Sequence, residues 1–132
     1  MTSIYLPNEK EKLVKLYVPD KNKPTHFVME LVSLPENRFD MELIGAINNA
    51  LDIVDTAILS LPDDKKNIGG SLITTSSGKF FSNGFNLQKA WKNVEEFYPA
   101  VQKLYARFLT FRVPTIAAIN GHAFAGGCVG YR

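Results

Sequence analysis

Two glycine-containing loops at predicted strand ends hold the residue types best suited to chemistry in this chain. One runs from Gly78 to Leu87 and the other from Gly121 to Gly127. Glycine lets backbone N–H groups approach a ligand closely, and a helix that begins beside them adds partial positive charge. Such loops suit an oxygen atom that develops negative charge during a reaction. Spacing alone leaves open the alternative that the glycines only form tight turns.

The glycine spacing does not match a nucleotide site. Gly121 and Gly126 have the offset of a phosphate-binding P-loop, but Gly127 and Cys128 stand where Lys and Ser or Thr are required. The dinucleotide fingerprint needs a G-x-G start, which the segment GHAFAGG lacks. We therefore exclude both nucleotide motifs.

The remaining reactive side chains give no site of their own. His26 and His122 stand in different segments without the Cys or carboxylate spacing of a zinc site, so no metal is expected. We expect His26 to be a strand residue and His122 to pack or hydrogen-bond within its loop. Ser82 has no evident partner for a nucleophile triad. Cys128, the only cysteine, is expected to be a small buried residue in a reducing compartment.

Composition argues against several partners. The formal charge is +2 and no long block of one sign occurs, so neither nucleic acid nor a polybasic membrane contact is indicated. No stretch of about 18 apolar residues is present, and the first residues lack the pattern of a signal peptide or presequence. The sequence also does not end in a peroxisomal address. We therefore expect a soluble intracellular protein with no targeting signal in this chain.

Hydrophobic periodicity predicts the elements that would position the two loops. Two β-rich runs with a turn between them indicate a hairpin, and an amphipathic pattern capped by Asp40 indicates a helix to about Leu59. A second helix should start near Tyr98, because Pro99 is tolerated only near a first turn, after an earlier turn at 88–93. The predicted strands are 12–18, 26–32, 71–75 and 115–119.

The order of elements predicts an α/β fold with mixed or parallel strand pairing. Strands 71–75 and 115–119 are short apolar runs separated by a helical crossover, so we expect them to be neighbouring buried strands. The loops after them would then lie side by side. The loop at 78–87 carries three phenylalanines and should be packed rather than free.

Two segments closely resemble a known family. KFFSNGFNL (79–87) and PTIAAINGHAFAGGC (114–128) resemble the two oxyanion-hole segments of the crotonase, or enoyl-CoA hydratase/isomerase, superfamily. The phrases SLITTSSGKFFSNGF and INGHAFAGG are most similar to the enoyl-CoA isomerase branch of plants and fungi. The resemblance implies an α/β crotonase-like (ββα spiral) fold. That fold would be truncated here, with residues 1–132 forming the N-terminal part of a single domain.

The resemblance also implies the chemistry of the loops. In that family two backbone N–H groups bind the thioester carbonyl of an acyl-CoA and stabilise the enolate formed on proton removal. Here the donors would be the amides of Phe85 and Gly126. The coenzyme A thioester is the substrate, and no separate cofactor is implied. The rest of the acyl-CoA loop would be Ser82, Asn83, Gly84, Asn86 and Leu87.

Three departures from the family pattern shape the prediction. Asn86 replaces a common Asp, a change expected to affect loop hydrogen bonding more than chemistry. Val129 stands where hydratases carry the first of two catalytic Glu residues, so water addition is not expected. The proton-carrying Glu of isomerases would lie beyond Arg132, and Glu95 and Glu96 are expected to face solvent.

Two functions follow from the resemblance. The first is an enoyl-CoA isomerase of fatty-acid metabolism that, at full length, converts a 3-enoyl-CoA to a 2-enoyl-CoA in the peroxisome or cytoplasm. Full-length members form homo-trimers or hexamers. The second is a non-catalytic or truncated crotonase homologue with at most weak acyl-CoA binding. A downstream Glu at the isomerase position would separate the two.

Overall fold

A computed structural model describes residues 2–129, and of Val129 only the backbone. Residues 130–132, on which the expectation about a peroxisomal address rests, lie outside the described residues. The helices and strands, in chain order, are β1 (Ser3–Leu6), β2 (Val14–Tyr17), β3 (His26–Leu31), α1 (Met41–Leu59), β4 (Ser71–Ser76), β5 (Phe80–Ser82), α2 (Leu87–Lys92), α3 (Val94–Leu109), β6 (Thr115–Ala117), β7 (His122–Ala123) and α4 (Gly126–Val129). A 3-10 turn at Asp63–Lys65 follows α1.

The predicted hairpin is confirmed and gains a strand. β2 and β3 pair antiparallel, with Val14 opposite Leu31. β1, which the sequence did not predict, pairs antiparallel with β2 on its other side. Its four residues are too few for a clear alternation, and charged residues follow soon after. Tertiary pairing therefore decides this strand more than its own sequence does.

Helix α1 forms where the pattern predicts it. The Asp40 side chain accepts a hydrogen bond from the Leu43 N–H at 2.8 Å, which satisfies one of the unpaired donors of the first turn. Each large apolar side chain that the helix buries contributes about 1.5–3 kcal/mol relative to exposure. The buried stripe consists of Leu43, Ile44, Ala46, Ile47, Ala50, Leu51 and Val54.

A five-stranded sheet places the two loops at one end. Its order is β1-β2-β3-β4-β6, and both the β3–β4 and the β4–β6 pairs are parallel. The prediction that 71–75 and 115–119 are neighbours is confirmed, but burial of the second strand is wrong. Ile116 is 49% exposed and Ile119 is 52% exposed. Among the described residues β6 is one of the two edge strands of this sheet, so no further strand pairs with its outer side.

The connecting helix starts earlier than predicted. α3 begins at Val94 rather than near Tyr98, and α2 is a separate helix where only a turn was expected. The Asn93 carbonyl accepts from the N–H groups of Glu96 and Phe97, so the first turn forms before Pro99 is reached. Proline has no N–H, so it leaves one carbonyl on the preceding turn without its helical partner. The stripe that α3 buries outweighs that loss.

The core lies between α1, α3 and the sheet. Phe39, Phe81 and Phe97 are among its largest fully buried side chains. No helix in residues 2–129 combines the length and apolarity needed to cross a bilayer.

Candidate functional site

The two predicted loops lie side by side and pair with each other. β5 and β7 form a two-stranded parallel sheet in which Phe80 faces His122. The N–H of His122 donates to the Lys79 carbonyl and that of Phe124 to the Ser82 carbonyl, both at 3.0 Å. The side-by-side arrangement was predicted from the order of elements. The pairing as strands was not, because both runs lie inside glycine-rich loops.

Close approach of the loops depends on several glycines, of which Gly84 and Gly127 are two. Gly84 has φ 85°, and a methyl group there would lie 3.2 Å from the Ala125 Cβ and 3.4 Å from the Gly126 nitrogen. A methyl group on Gly127 would lie 2.5–2.7 Å from three atoms of Ser82. A side chain at either position would therefore push the loops apart.

The Phe85 ring packs directly on Gly126. A Cβ on Gly126 would overlap the ring, at 2.8 Å from Cδ1 and 2.9 Å from Cζ. The ring also meets Phe97 edge-on at 5.1 Å and Phe39 at 6.5 Å between centroids. Edge-to-face pairs of this kind add about 0.5–1.5 kcal/mol beyond burial. The two residues predicted as donors are thus held in contact.

Backbone pairing turns the Phe85 N–H away from its neighbouring segment. Phe39 donates its N–H to the Gly84 carbonyl and accepts from the Asn86 N–H, both at 2.8 Å. In such a parallel bridge the residue between the two bonded positions points its own N–H to the other side. Within residues 2–129 the N–H groups of Phe85 and Gly126 donate no hydrogen bond. Gly126 is buried, so an acceptor there would satisfy a costly unpaired donor.

Most of the other predicted loop residues make hydrogen bonds within the chain. The buried Ser82 hydroxyl donates to the Asn37 carbonyl at 2.8 Å, and the Asn83 N–H donates to the Glu36 carbonyl. Asn86 caps α2 by accepting from the Lys89 N–H at 3.2 Å. Leu87, the first residue of α2, is 57% exposed. Their contact with an acyl-CoA stays a prediction.

The two histidines contact neighbouring side chains, and the cysteine is exposed. The exposed His122 ring stacks on Phe124 at 5.7 Å, as its expected packing role requires. His26 lies in β3 with its Nδ1 2.8 Å from the Ser71 hydroxyl. The expectation that Cys128 is buried is wrong, since it is exposed. In α4 the glycines before Cys128 are the buried residues, which leaves the thiol on the open side.

Charged and polar groups that the sequence did not indicate contact both loops. Arg38 donates to the Phe85 carbonyl at 3.3 Å, and its hydrogen bond to Glu36 holds the pKa of that carboxyl below its usual value. The Tyr105 hydroxyl donates to the Gly126 carbonyl at 3.1 Å, and burial raises the pKa of Tyr105. Tyr105 stood in the apolar stripe of α3, but nothing in the sequence marked its hydroxyl as a partner of the second loop.

The acidic residues of the connecting helix face solvent as expected. Glu95 and Glu96 are exposed, and Glu96 accepts a hydrogen bond from the Asn93 side chain at 2.7 Å. That contact stabilises the start of α3. It gives neither carboxylate a role at the two donor residues.

Comparison with known proteins identifies the family. A family model described as Enoyl-CoA hydratase/isomerase matches residues 35–130. The chain therefore belongs to the enoyl-CoA hydratase/isomerase family, and the predicted crotonase-like α/β fold is confirmed.

Three relatives set the scale of the similarity. Enoyl-CoA delta isomerase 1, peroxisomal, of Arabidopsis thaliana is 34% identical over 78% of this chain and 41% of its own length. Enoyl-CoA delta isomerase 2, peroxisomal, of the same plant is 36% identical over 78% of this chain and 43% of its length. The crystal structure of human mitochondrial delta3-delta2-enoyl-CoA isomerase superimposes with a TM-score of 0.71 at 26% identity, covering 90% of this chain and 44% of that one. The chain thus spans about two-fifths of the length of the plant relatives.

Proposed function

We propose that the N–H groups of Phe85 and Gly126 bind the thioester carbonyl oxygen of an enoyl-CoA. The observation that carries the proposal is the Phe39 bridge, which turns the Phe85 N–H away from the neighbouring segment around Phe39. The contact between the Phe85 ring and Gly126 supports it, because it holds the two residues next to each other. Fixed donors of this kind stabilise an oxygen as negative charge develops on it.

The proposed reaction is the double-bond shift of a 3-enoyl-CoA to a 2-enoyl-CoA. A carboxylate removes a proton from the carbon next to the thioester, and the electron pair spreads onto the carbonyl oxygen between the two donors. The same proton then returns at the γ carbon, which leaves the double bond in conjugation. Losing one donor typically costs about 3 kcal/mol of barrier.

Isomerase chemistry fits the chain better than hydration does. Val129 occupies the place at which the resemblance puts a hydratase Glu, and no water-activating carboxylate pair is proposed. The names of the plant relatives support the same choice. Because Glu95 and Glu96 are exposed, we propose that the proton carrier is neither of them. Residues 1–132 would then form the N-terminal, electrostatic part of one crotonase-like domain.

A second function is favoured by the open side of the fold. β6 is an edge strand, and Ile116, Ile119 and Phe124 are about half exposed among the described residues. A chain with this surface could be a non-catalytic homologue that binds acyl-CoA weakly. Both functions share the thioester site, and only the first needs a carboxylate that moves the proton.

A matched pair of ligands tests the site itself. Hexanoyl-CoA carries the thioester carbonyl, whereas S-hexyl-CoA is a thioether of similar length without it. Two added hydrogen bonds of ordinary net strength should make hexanoyl-CoA bind about 10-fold more tightly or better, as measured by calorimetry. Equal affinity for the two ligands would contradict the proposal.

A further inference from the structure

Asn37 is a buried polar residue in an unusual backbone conformation. Its relative exposure is 0%, and its φ of 47° lies in the left-handed region, where asparagine is tolerated better than most residues. Its N–H donates to the Ser33 carbonyl at 2.9 Å. The turn therefore places both the side chain and the carbonyl of Asn37 in the interior.

The Asn37 amide joins the ends of two strands. Its Nδ2 donates to the Ser76 hydroxyl at 2.6 Å, at the end of β4, and to the Phe81 carbonyl at 3.1 Å in β5. The Phe81 carbonyl can only accept, which fixes which side of the amide faces it. The amide oxygen is buried and has no partner among the described residues. An unsatisfied oxygen lowers stability, so packing alone does not explain the choice of asparagine.

The Asn37 carbonyl holds the first donor loop. It accepts from the Ser82 hydroxyl, and that hydroxyl accepts from the Gly84 N–H at 3.3 Å. Backbone groups on either side of Asn37 also form hydrogen bonds with this loop. Asn83 donates to the Glu36 carbonyl, and Phe39 exchanges two bonds with the loop around Phe85.

We propose that Asn37 is a positioning residue. It holds segment 36–39, here called the template, in the conformation that pairs with the loop, and this pairing sets the direction of the Phe85 N–H. Its amide anchors the template to β4 and β5, and its carbonyl anchors the loop to the template. The direction of the N–H follows from the bridge to Phe39, which forms only when the template stays in register with the loop around Phe85. What that N–H binds rests on the proposed function, but its positioning by Asn37 does not.

Hydrogen exchange in the absence of ligand tests the positioning. Asn37→Gly keeps the left-handed backbone accessible and removes the amide. Exchange at the Asn83 and Asn86 N–H groups should then be at least about tenfold faster relative to the Leu51 N–H of α1. Thr25→Val is the control, because it loses a partly buried 2.7 Å hydrogen bond to Gly69 at the other end of the strands. It should leave those relative rates unchanged.

Binding gives the second readout. The preference of the 132-residue chain for hexanoyl-CoA over S-hexyl-CoA should fall toward unity in Asn37→Gly and persist in Thr25→Val. If the unaltered chain shows no preference, the proposed function fails, and the exchange rates still decide the role of Asn37.

Two outcomes overturn the inference. One is unchanged relative exchange at Asn83 and Asn86 in Asn37→Gly, and the other is equal acceleration in Thr25→Val. Should Asn37→Gly not fold, Ser82→Ala decides, because it removes the hydroxyl between the Asn37 carbonyl and the Gly84 N–H. Unchanged exchange in Ser82→Ala would refute the template in the same way.

Discussion

At the scale of single residues, the candidate site consists mostly of backbone groups. The residues identified from the sequence, Phe85 and Gly126, contact each other, and their side chains carry no acid, base or nucleophile. Motif resemblance could name them because the loops need glycine at fixed places. It could not name Asn37 or Tyr105, whose roles depend on which distant atoms the fold brings within hydrogen-bond distance.

Alanine at Gly84 should lower the stability of the protein, whereas alanine at Gly45 should raise it. Gly84→Ala forces a side chain onto φ 85° and against Ala125, so the free energy of unfolding should fall by about 1–2 kcal/mol. Gly45→Ala lies in α1 with nothing within 4 Å and should raise it by about 0.5–1 kcal/mol. Urea denaturation measures both. A neutral Gly84→Ala would mean that the loops do not need this conformation.

At the scale of elements, the sequence predicted those whose periodicity or caps are local. Helix α1 with its Asp40 cap and strand β4 are clear examples. The predicted start of α3 was wrong because the side chains that the helix buries stabilise it across Pro99. β5 and β7 were missed because each is stable only through the other. The donor loop ends in α2, whose first turn is capped by Asn86.

The Asn86 cap should be structural rather than catalytic. Asn86→Asp keeps an acceptor for the Lys89 N–H, and Asn and Asp cap about equally well, so stability should change by less than about 0.5 kcal/mol. Asn86→Ala removes the cap and should cost about 1 kcal/mol. Thermal unfolding gives both values. A large gain in thioester affinity for Asn86→Asp alone would show that the residue contacts the ligand.

At the scale of the whole molecule, the chain has a closed core on one side of the sheet and an open edge at β6. The fold class and the family could be predicted from two motifs in the right order, joined by a helix. The exposure of Ile116 and of Cys128 could not, because burial depends on what lies across an edge. The part of the chain that the structure describes supplies candidate donors for a carbonyl oxygen, and its helix α3 supplies no carboxylate directed at them.

The 132-residue chain should not isomerise a 3-enoyl-CoA faster than a control without protein. Two donors without a positioned base lack the rate enhancement of roughly 100-fold to 10,000-fold that general acid–base catalysis contributes. Formation of the conjugated thioester from 3-hexenoyl-CoA can be followed by ultraviolet absorbance. Robust turnover that is abolished by Glu95→Gln or Glu96→Gln would show that the base lies on α3.

A direct test of the proposed donors removes the backbone N–H of Phe85 and leaves its side chain unchanged. Replacement of Phe85 by phenyllactic acid turns its amide into an ester and deletes the N–H that is unpaired within residues 2–129. The matched control is the same change at Phe111, whose N–H makes a long 3.5 Å bond to the Phe108 carbonyl at the end of α3. Circular dichroism would establish that both variants keep the fold.

The measurement is the infrared stretching frequency of a 13C-labelled thioester carbonyl in bound hexanoyl-CoA. We expect a lower frequency on binding to the unaltered chain and to the Phe111 ester, since hydrogen bonds polarise the carbonyl. In the Phe85 ester we expect the frequency to return partly toward the free value. A bound carbonyl with the same frequency in the Phe85 ester as in the unaltered chain would contradict the proposed role of the Phe85 N–H.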